Sequence, residues 1–123
     1  MAPIAQVLFN DPTVMSLLGP KILRFYNFGN QPITNPVYPY AVYQNYAGSP
    51  ENYLGTLPDA DTFSLQVDVY SPKGDECVNV AKAIRDAIEP HSYITRWGAQ
   101  EVDNSKQPLI FRYSFDVDWM VLR

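Results

Sequence analysis

The sequence has one cysteine, Cys77, and one histidine, His91. A lone cysteine excludes an intramolecular disulfide and any zinc site built on several thiolates. A lone histidine leaves only His91 for a Ser–His or Cys–His mechanism, and no serine lies in a G-x-S-x-G context. Basic residues are also scarce: 9 Lys and Arg stand against 13 Asp and Glu, for a net charge of −4. Tight nucleic-acid binding draws most of its affinity from neutralised phosphates, so this balance disfavours it. It is compatible with an acidic wall that DNA passes without sticking. No apolar run approaches the length of a membrane span, and the opening MAPIAQVLFNDPT has no basic n-region. The expectation is a chain made and folded in a cytoplasm, with no membrane contact. Gly48, Gly55, Gly74 and Gly98 lack phosphate-loop spacing, and no G-K-[ST] run is present.

What is present fits a globular chain. The 123 residues suit one domain, 1–123, and 46% are hydrophobic, which argues against wholesale disorder. Nine tyrosines and eleven prolines are unusual. Tyrosine has an apolar body and a polar tip, so a tyrosine-rich surface suits an interface as well as half-exposed strands.

Periodicity supplies the elements. Residues 3–18 read as helical, in one piece or two, with Asp11–Pro12 as a cap followed by a first-turn proline. Gly19 and Pro20 stop the helix. Ile22, Leu23 and Phe25 form a short extended run, and residues 27–39, with three prolines, form a loop or arm. Tyr40 to Tyr46 reads as a strand with aromatics on both faces, which suits cover on both. Residues 47–61 read as a long polar loop. In the strand 62–70, Phe63, Leu65, Val67 and Val69 share one face and Ser64, Gln66 and Asp68 the other.

Ser71–Pro72 repeats the cap-and-proline pattern and opens the best helix, which runs to about Glu89. Its apolar stripe is Cys77, Val80, Ala81, Ile84 and Ile88, suited to packing on a sheet. Strands over 93–102 and 109–121 pair as a hairpin across 103–108. In the second, Leu109, Phe111, Tyr113, Phe115, Val117, Trp119 and Val121 oppose Arg112, Ser114, Asp116 and Asp118. This order predicts an α+β fold: a mainly antiparallel four- to five-stranded sheet with helices packed on one face.

Candidate chemistry is sparse. His91 reads as an exposed loop histidine and Cys77 as a small buried hydrophobe. Asp68, Asp116 and Asp118 share the polar side of two strands. Converging carboxylates bind a divalent cation or share a proton, the basis of a small metal- or ligand-binding enzyme. Charged residues on the outer face of a half-buried sheet are the ordinary alternative. The expectation is no enzyme, no catalytic residue, no bound metal and no cofactor.

One resemblance spans nearly the whole chain. PYAVYQ (Pro39–Gln44), GSPEN (Gly48–Asn52), LQVDVYS (Leu65–Ser71) leading to a helix with Val80–Ile88, and a last strand Phe111–Trp119 ending in FDVDW follow one another in the order and spacing of the tail completion proteins of long-tailed bacteriophages. FNDPTVMSLLG (Phe9–Gly19) is similar to that family's opening, and Lys21–Leu23 stands where its first short strand lies. The aromatic, proline-rich arm over 26–40 and the LGTLPDAD stretch depart from the pattern.

The resemblance implies a structural virion protein with no catalytic residues. It implies a homo-oligomeric, commonly hexameric ring at the head-proximal end of the tail, assembled in the host bacterial cytoplasm. The ring terminates the tail or joins it to the head, between the tail tube protein and the head completion or connector protein, with DNA passing through its lumen unbound. A head-side connector (neck) role is the neighbouring alternative. Contacts are then expected from the 27–39 and 47–61 segments, with Tyr38, Tyr46, Tyr53 and Leu54 as anchors, and from Arg112, Asp116 and Asp118 on the outer sheet face.

Overall fold

A computed structural model describes residues 2–32, 34, 36–51, 60–105 and 108–122, the side chains of 48–51 excepted. The elements run α1 (Ile4–Phe9), α2 (Pro12–Leu18), β1 (Phe25–Asn27), β2 (Tyr40–Glu51), β3 (Ala60–Ser71), α3 (Gly74–Ile88), a 3₁₀ turn (Glu89–His91), β4 (Tyr93–Asp103) and β5 (Ile110–Leu122). The five strands form one sheet in the order β1-β2-β3-β5-β4. β1 is parallel to β2, and the other pairings are antiparallel. The fold is α+β, as the sequence predicts.

The parallel β1–β2 pair explains the long segment between them. Parallel neighbours require the chain to return to the end it left, which takes about a dozen residues, whereas a hairpin takes two. Residues 28–39 make that return. Between β3 and β4 the chain crosses over through α3, and β5 fills the place between those two strands.

All three helices lie on one sheet face. α3 packs on β3 and β5, and α1 and α2 pack on α3. Its predicted stripe, Cys77, Val80, Ala81, Ile84 and Ile88, is buried, against Leu65, Val67 and Val69 of β3 and Tyr113, Phe115, Val117 and Trp119 of β5. Asp75 and Glu76 occupy the first turn of α3, where the helix dipole favours negative charge. The N-terminal helical region is two helices. Asp11 caps the second, its carboxylate accepting from the Val14 amide at 3.0 Å, with Pro12 in the first turn. No helix among the described residues is long and apolar enough to cross a membrane.

Three expectations need correction. The first extended run is β1 at Phe25–Asn27, beginning three residues later than Ile22. The main helix starts at Gly74, not at Ser71–Pro72. Ser71 is the last residue of β3, paired with Phe111 and wholly buried. Its hydroxyl accepts from the Lys73 amide at 3.0 Å and donates to Glu76 at 2.5 Å. Both ends of the supposed loop over 47–61 are strand: β2 reaches Glu51 and β3 starts at Ala60, in register from Ala47↔Ser64 to Glu51↔Ala60, and residues 52–59 lie outside the described residues. Deleting 49–57 would therefore remove paired strand residues as well as a connection.

Candidate assembly surface

The sheet face away from the helices has no second layer among the described residues. Its side chains follow from strand parity, and the register aligns them in four rows across β2, β3, β5 and β4. These are Tyr40–Tyr70–Arg112–Glu101, Val42–Asp68–Ser114–Ala99, Gln44–Gln66–Asp116–Arg96 and Ala47–Ser64–Asp118–Tyr93.

The first row is aromatic and charged. Tyr40 stacks on Tyr70 with centroids 5.0 Å apart, and Tyr38 and Tyr26 lean on Tyr40 at 5.5 and 6.1 Å. Burial, with Tyr38, Tyr70 and Tyr26 adding to it, pushes the Tyr40 phenol up to about 12. Burial and then the Asp68 charge raise Tyr70 as well. Tyr40 and Tyr70 are therefore neutral at physiological pH and bring apolar area and a hydroxyl without charge. Arg112 pairs with Glu101. Burial pulls the Arg112 guanidinium down, but its hydrogen bonds to Glu101 and Tyr70 outweigh this and raise it.

The middle rows carry a satisfied polar network. The Ser114 hydroxyl donates to Asp68 Oδ1, and Gln66 donates to the same oxygen at 3.0 Å. Arg96 grips Asp116 with two parallel bonds of 2.9 and 3.0 Å, which raises the Arg96 pKa chiefly through that hydrogen bonding. In the last row Ser64 donates to Asp118 at 2.8 Å. Tyr46 bulges out of β2 between Asn45 and Ala47. Tyr46 is exposed, and burial, then the Asp116 and Asp118 charges, raise its phenol.

The three carboxylates thus turn to separate donors. Among the described residues, no group of three or more His, Cys, Asp and Glu side chains could hold a metal ion. Cys77 and His91 lie at opposite ends of α3, about 20 Å apart at a rise of about 1.5 Å per residue. They do not form a Cys–His pair. His91 is exposed and stacks on Trp119, with centroids 6.1 Å apart.

The Cys77 thiol lies 3.2 Å from the Phe111 carbonyl, and burial, then the Glu76 charge, pushes it up to about 11. Because folding raises this pKa, the folded chain holds the proton more tightly. Its contribution to stability is complete below the ordinary thiol range and is lost as pH rises toward about 11. At pH 8 we expect negligible alkylation of native Cys77 by iodoacetamide and rapid alkylation in denaturant, followed by mass spectrometry. Equal rates in both would contradict the buried thiol.

The profile of the family described as tail completion protein gp17 matches residues 2–122. The chain belongs to the tail completion protein gp17 family. No curated protein matches it. Membership makes this a structural protein of the bacteriophage tail, in contact with other tail components of the virion.

For a tail completion protein, the placing of the expected contact residues matters. Arg112, Asp116 and Asp118 lie on the open face as parity predicts, and the exposed Tyr46 stands at the register shift of β2 between Asn45 and Ala47. Tyr38 reaches the same face through the tyrosine cluster around Tyr40. Tyr53 and Leu54 lie outside the described residues. Sequence reasoning missed Tyr40, Tyr70, Arg96, Glu101 and Tyr93. In β4 the spacing Tyr93, Arg96, Ala99, Glu101 breaks period two because the register shifts between Ile94 and Arg96 and again between Trp97 and Ala99. The signal was Gly98, whose φ of 93° lets the second shift turn without a Cβ penalty.

Proposed function

We propose that this protein forms a hexameric ring at the head-proximal end of the tail tube, where it terminates the tail and joins it to the head-side connector. The observation that carries the reading is the open sheet face, a wide surface of tyrosines and paired charges with no covering layer among the described residues. Tyrosine and arginine are the residue types that anchor protein interfaces. Family membership supports a tail position, and the resemblance to tail terminators supports the ring. A chain with net charge −4 suits a channel that DNA crosses without being held. The protein works by assembling, without catalysis or a cofactor. It assembles in the cytoplasm of the infected host, with the tail tube protein on one side and the head completion protein on the other.

The test is a phage lacking this gene, complemented with tagged protein and viewed by electron microscopy. We expect loss to give tails that lack a defined end and do not join heads, and the tag to appear as one ring at the tail–head junction. Asp118→Arg on the open face should reduce joined particles while the protein stays folded. A tag at the distal tip or along the tube would overturn the position. A tag that stays on tail-free heads would favour the neck role.

A further inference from the structure

We propose that copies of this chain join edge to edge, the Lys21–Ile22 turn beside β1 of one copy seating in the cleft between α3 and β4 of the next. This rests on the ring reading above and names the surfaces that close the ring.

The turn presents exposed side chains on the rim of an open groove that it shares with Tyr26, Pro32, Pro36 and Val37. Ile22 is 77% exposed, and Lys21 is exposed beside it. Neither side chain contributes to the core, yet the backbone that presents them is braced. The Arg24 guanidinium donates to the carbonyls of Leu17 at 3.2 Å, Gly19 at 2.9 Å and Pro39 at 2.9 Å. The Arg24 amide donates to Leu18 at 2.7 Å, and the Arg24 carbonyl accepts from Ala41. The turn is thereby tied to α2 and to the start of β2. A preorganised apolar side chain loses little conformational entropy on binding, which is the main cost of docking a loop.

The receiving site lies at the far edge of the same sheet. α3 packs chiefly on β3 and β5, and beside the end of β4 it leaves an open cleft. Val102 pairs with Phe111 and shares its core-facing side, yet Val102 is 45% exposed. The result is a cleft of about 480 Å³ whose walls include Val78, Val102 and Phe111; its charged lining is Asp75 and the mutually paired Glu101 and Arg112, which leaves Asp75 as the uncompensated charge. The Asp75 carboxylate accepts from the Glu76 amide of its own helix and pairs with no cation among the described residues. Lys21 likewise forms no ion pair among them. An exposed isoleucine with a lysine beside it complements an apolar cleft with an aspartate on it.

The geometry fits a ring. β1 and β4 are opposite edges of a five-stranded sheet, separated by roughly 19 Å at about 4.8 Å per strand. A contact between two different patches is heterologous, and it generates a ring when the rotation closes; a contact between like patches stops at a dimer. The two register shifts that bulge β4 oppose simple strand addition along this edge. Side chains, not a continuous backbone ladder, then make the joint.

The experiment introduces Ile22→Cys and Val102→Cys together in a Cys77→Ala background and purifies complemented phage. Mild oxidation should give a ladder of disulfide-linked multimers from the double variant and only monomer from either single variant. In parallel, Lys21→Glu should lower the titre of complemented phage about tenfold or more, since even about 1.4 kcal/mol lost over the whole ring is a factor of ten in its assembly constant. Adding Asp75→Lys should restore it. Rings seen by microscopy without a ladder or charge rescue would overturn this joint and leave the ring reading standing. Absence of any ring would overturn both.

Discussion

Phe115→Ala is expected to lower the stability of the protein by about 3–5 kcal/mol, the range for removing an aromatic ring from a packed core. Phe115 is wholly buried at the middle of β5, the strand flanked by β3 and β4. It pairs with Val67 on one side and Trp97 on the other. Its ring meets the Trp97 ring at a centroid distance of 5.1 Å, and the Arg85 guanidinium caps that indole at 4.7 Å. Truncation would open a cavity beneath α3 and free Trp97, so three elements lose contacts together. Small domains are stable by only about 5–15 kcal/mol, so this one change removes at least about a fifth of the reserve, and far more in a marginal domain. Urea denaturation should show a lower midpoint with little change in slope, and Phe115→Leu should recover much of the loss. A loss under about 1 kcal/mol would mean that β5 does not floor the core.

That prediction rests on a part of the fold that was legible in the chain. The alternations Leu65–Val67–Val69 and Tyr113–Phe115–Val117–Trp119 identify two strands with one buried face, and the stripe Cys77–Val80–Ala81–Ile84–Ile88 identifies the helix that covers them. The parts that were not legible share a cause: pairing partners override local signals. Ser71–Pro72 has the look of a helix start, but Ser71 is held in the ladder by Phe111, and the helix waits until Gly74. The stretch Gly48–Ser49–Pro50–Glu51 carries turn residues, yet it runs as strand because β3 pairs with it. Pro50 is tolerated there because β1 covers only Ala41 to Tyr43, which leaves the rest of β2 as an edge.

The candidate surface divides the same way. Arg112, Asp116 and Asp118 were visible from the parity of β5, an unbroken strand. Arg96 was hidden by two shifts in β4: the first reverses its parity relative to Tyr93, and the second restores that parity for Ala99 and Glu101. Tyr40 and Tyr70 belong to the surface through their stacking, a contact between strands thirty residues apart that no local pattern encodes.

The Asp68–Ser114 pair offers the second large effect, and it separates stability from assembly. Asp68 is 8% exposed and Ser114 2%, on the open face of the sheet. The serine hydroxyl and the Gln66 amide both serve one carboxylate oxygen, and the Arg112 and Arg96 charges lie near enough to feel Asp68. A hydrogen bond to a charged group is worth about 1.5–3 kcal/mol, and removing its donor leaves the buried acceptor short of a partner. Ser114→Ala should therefore cost about 2–3 kcal/mol by urea denaturation. Asp68→Val combined with Ser114→Ala should cost less than Ser114→Ala alone, because an apolar pair between Val42 and Ala99 leaves no buried carboxylate, and the amide of the half-buried Gln66 can turn to water. Additive losses in that cycle would mean the two groups do not act on each other. The double variant then becomes a probe of function. It keeps the fold but removes the negative charge between Arg96 and Arg112, which shifts the middle of the open face toward positive. If neighbouring tail proteins are matched to that face, the variant should complement a gene-deleted phage poorly despite its stability. Full complementation would place the assembly contacts elsewhere on the protein.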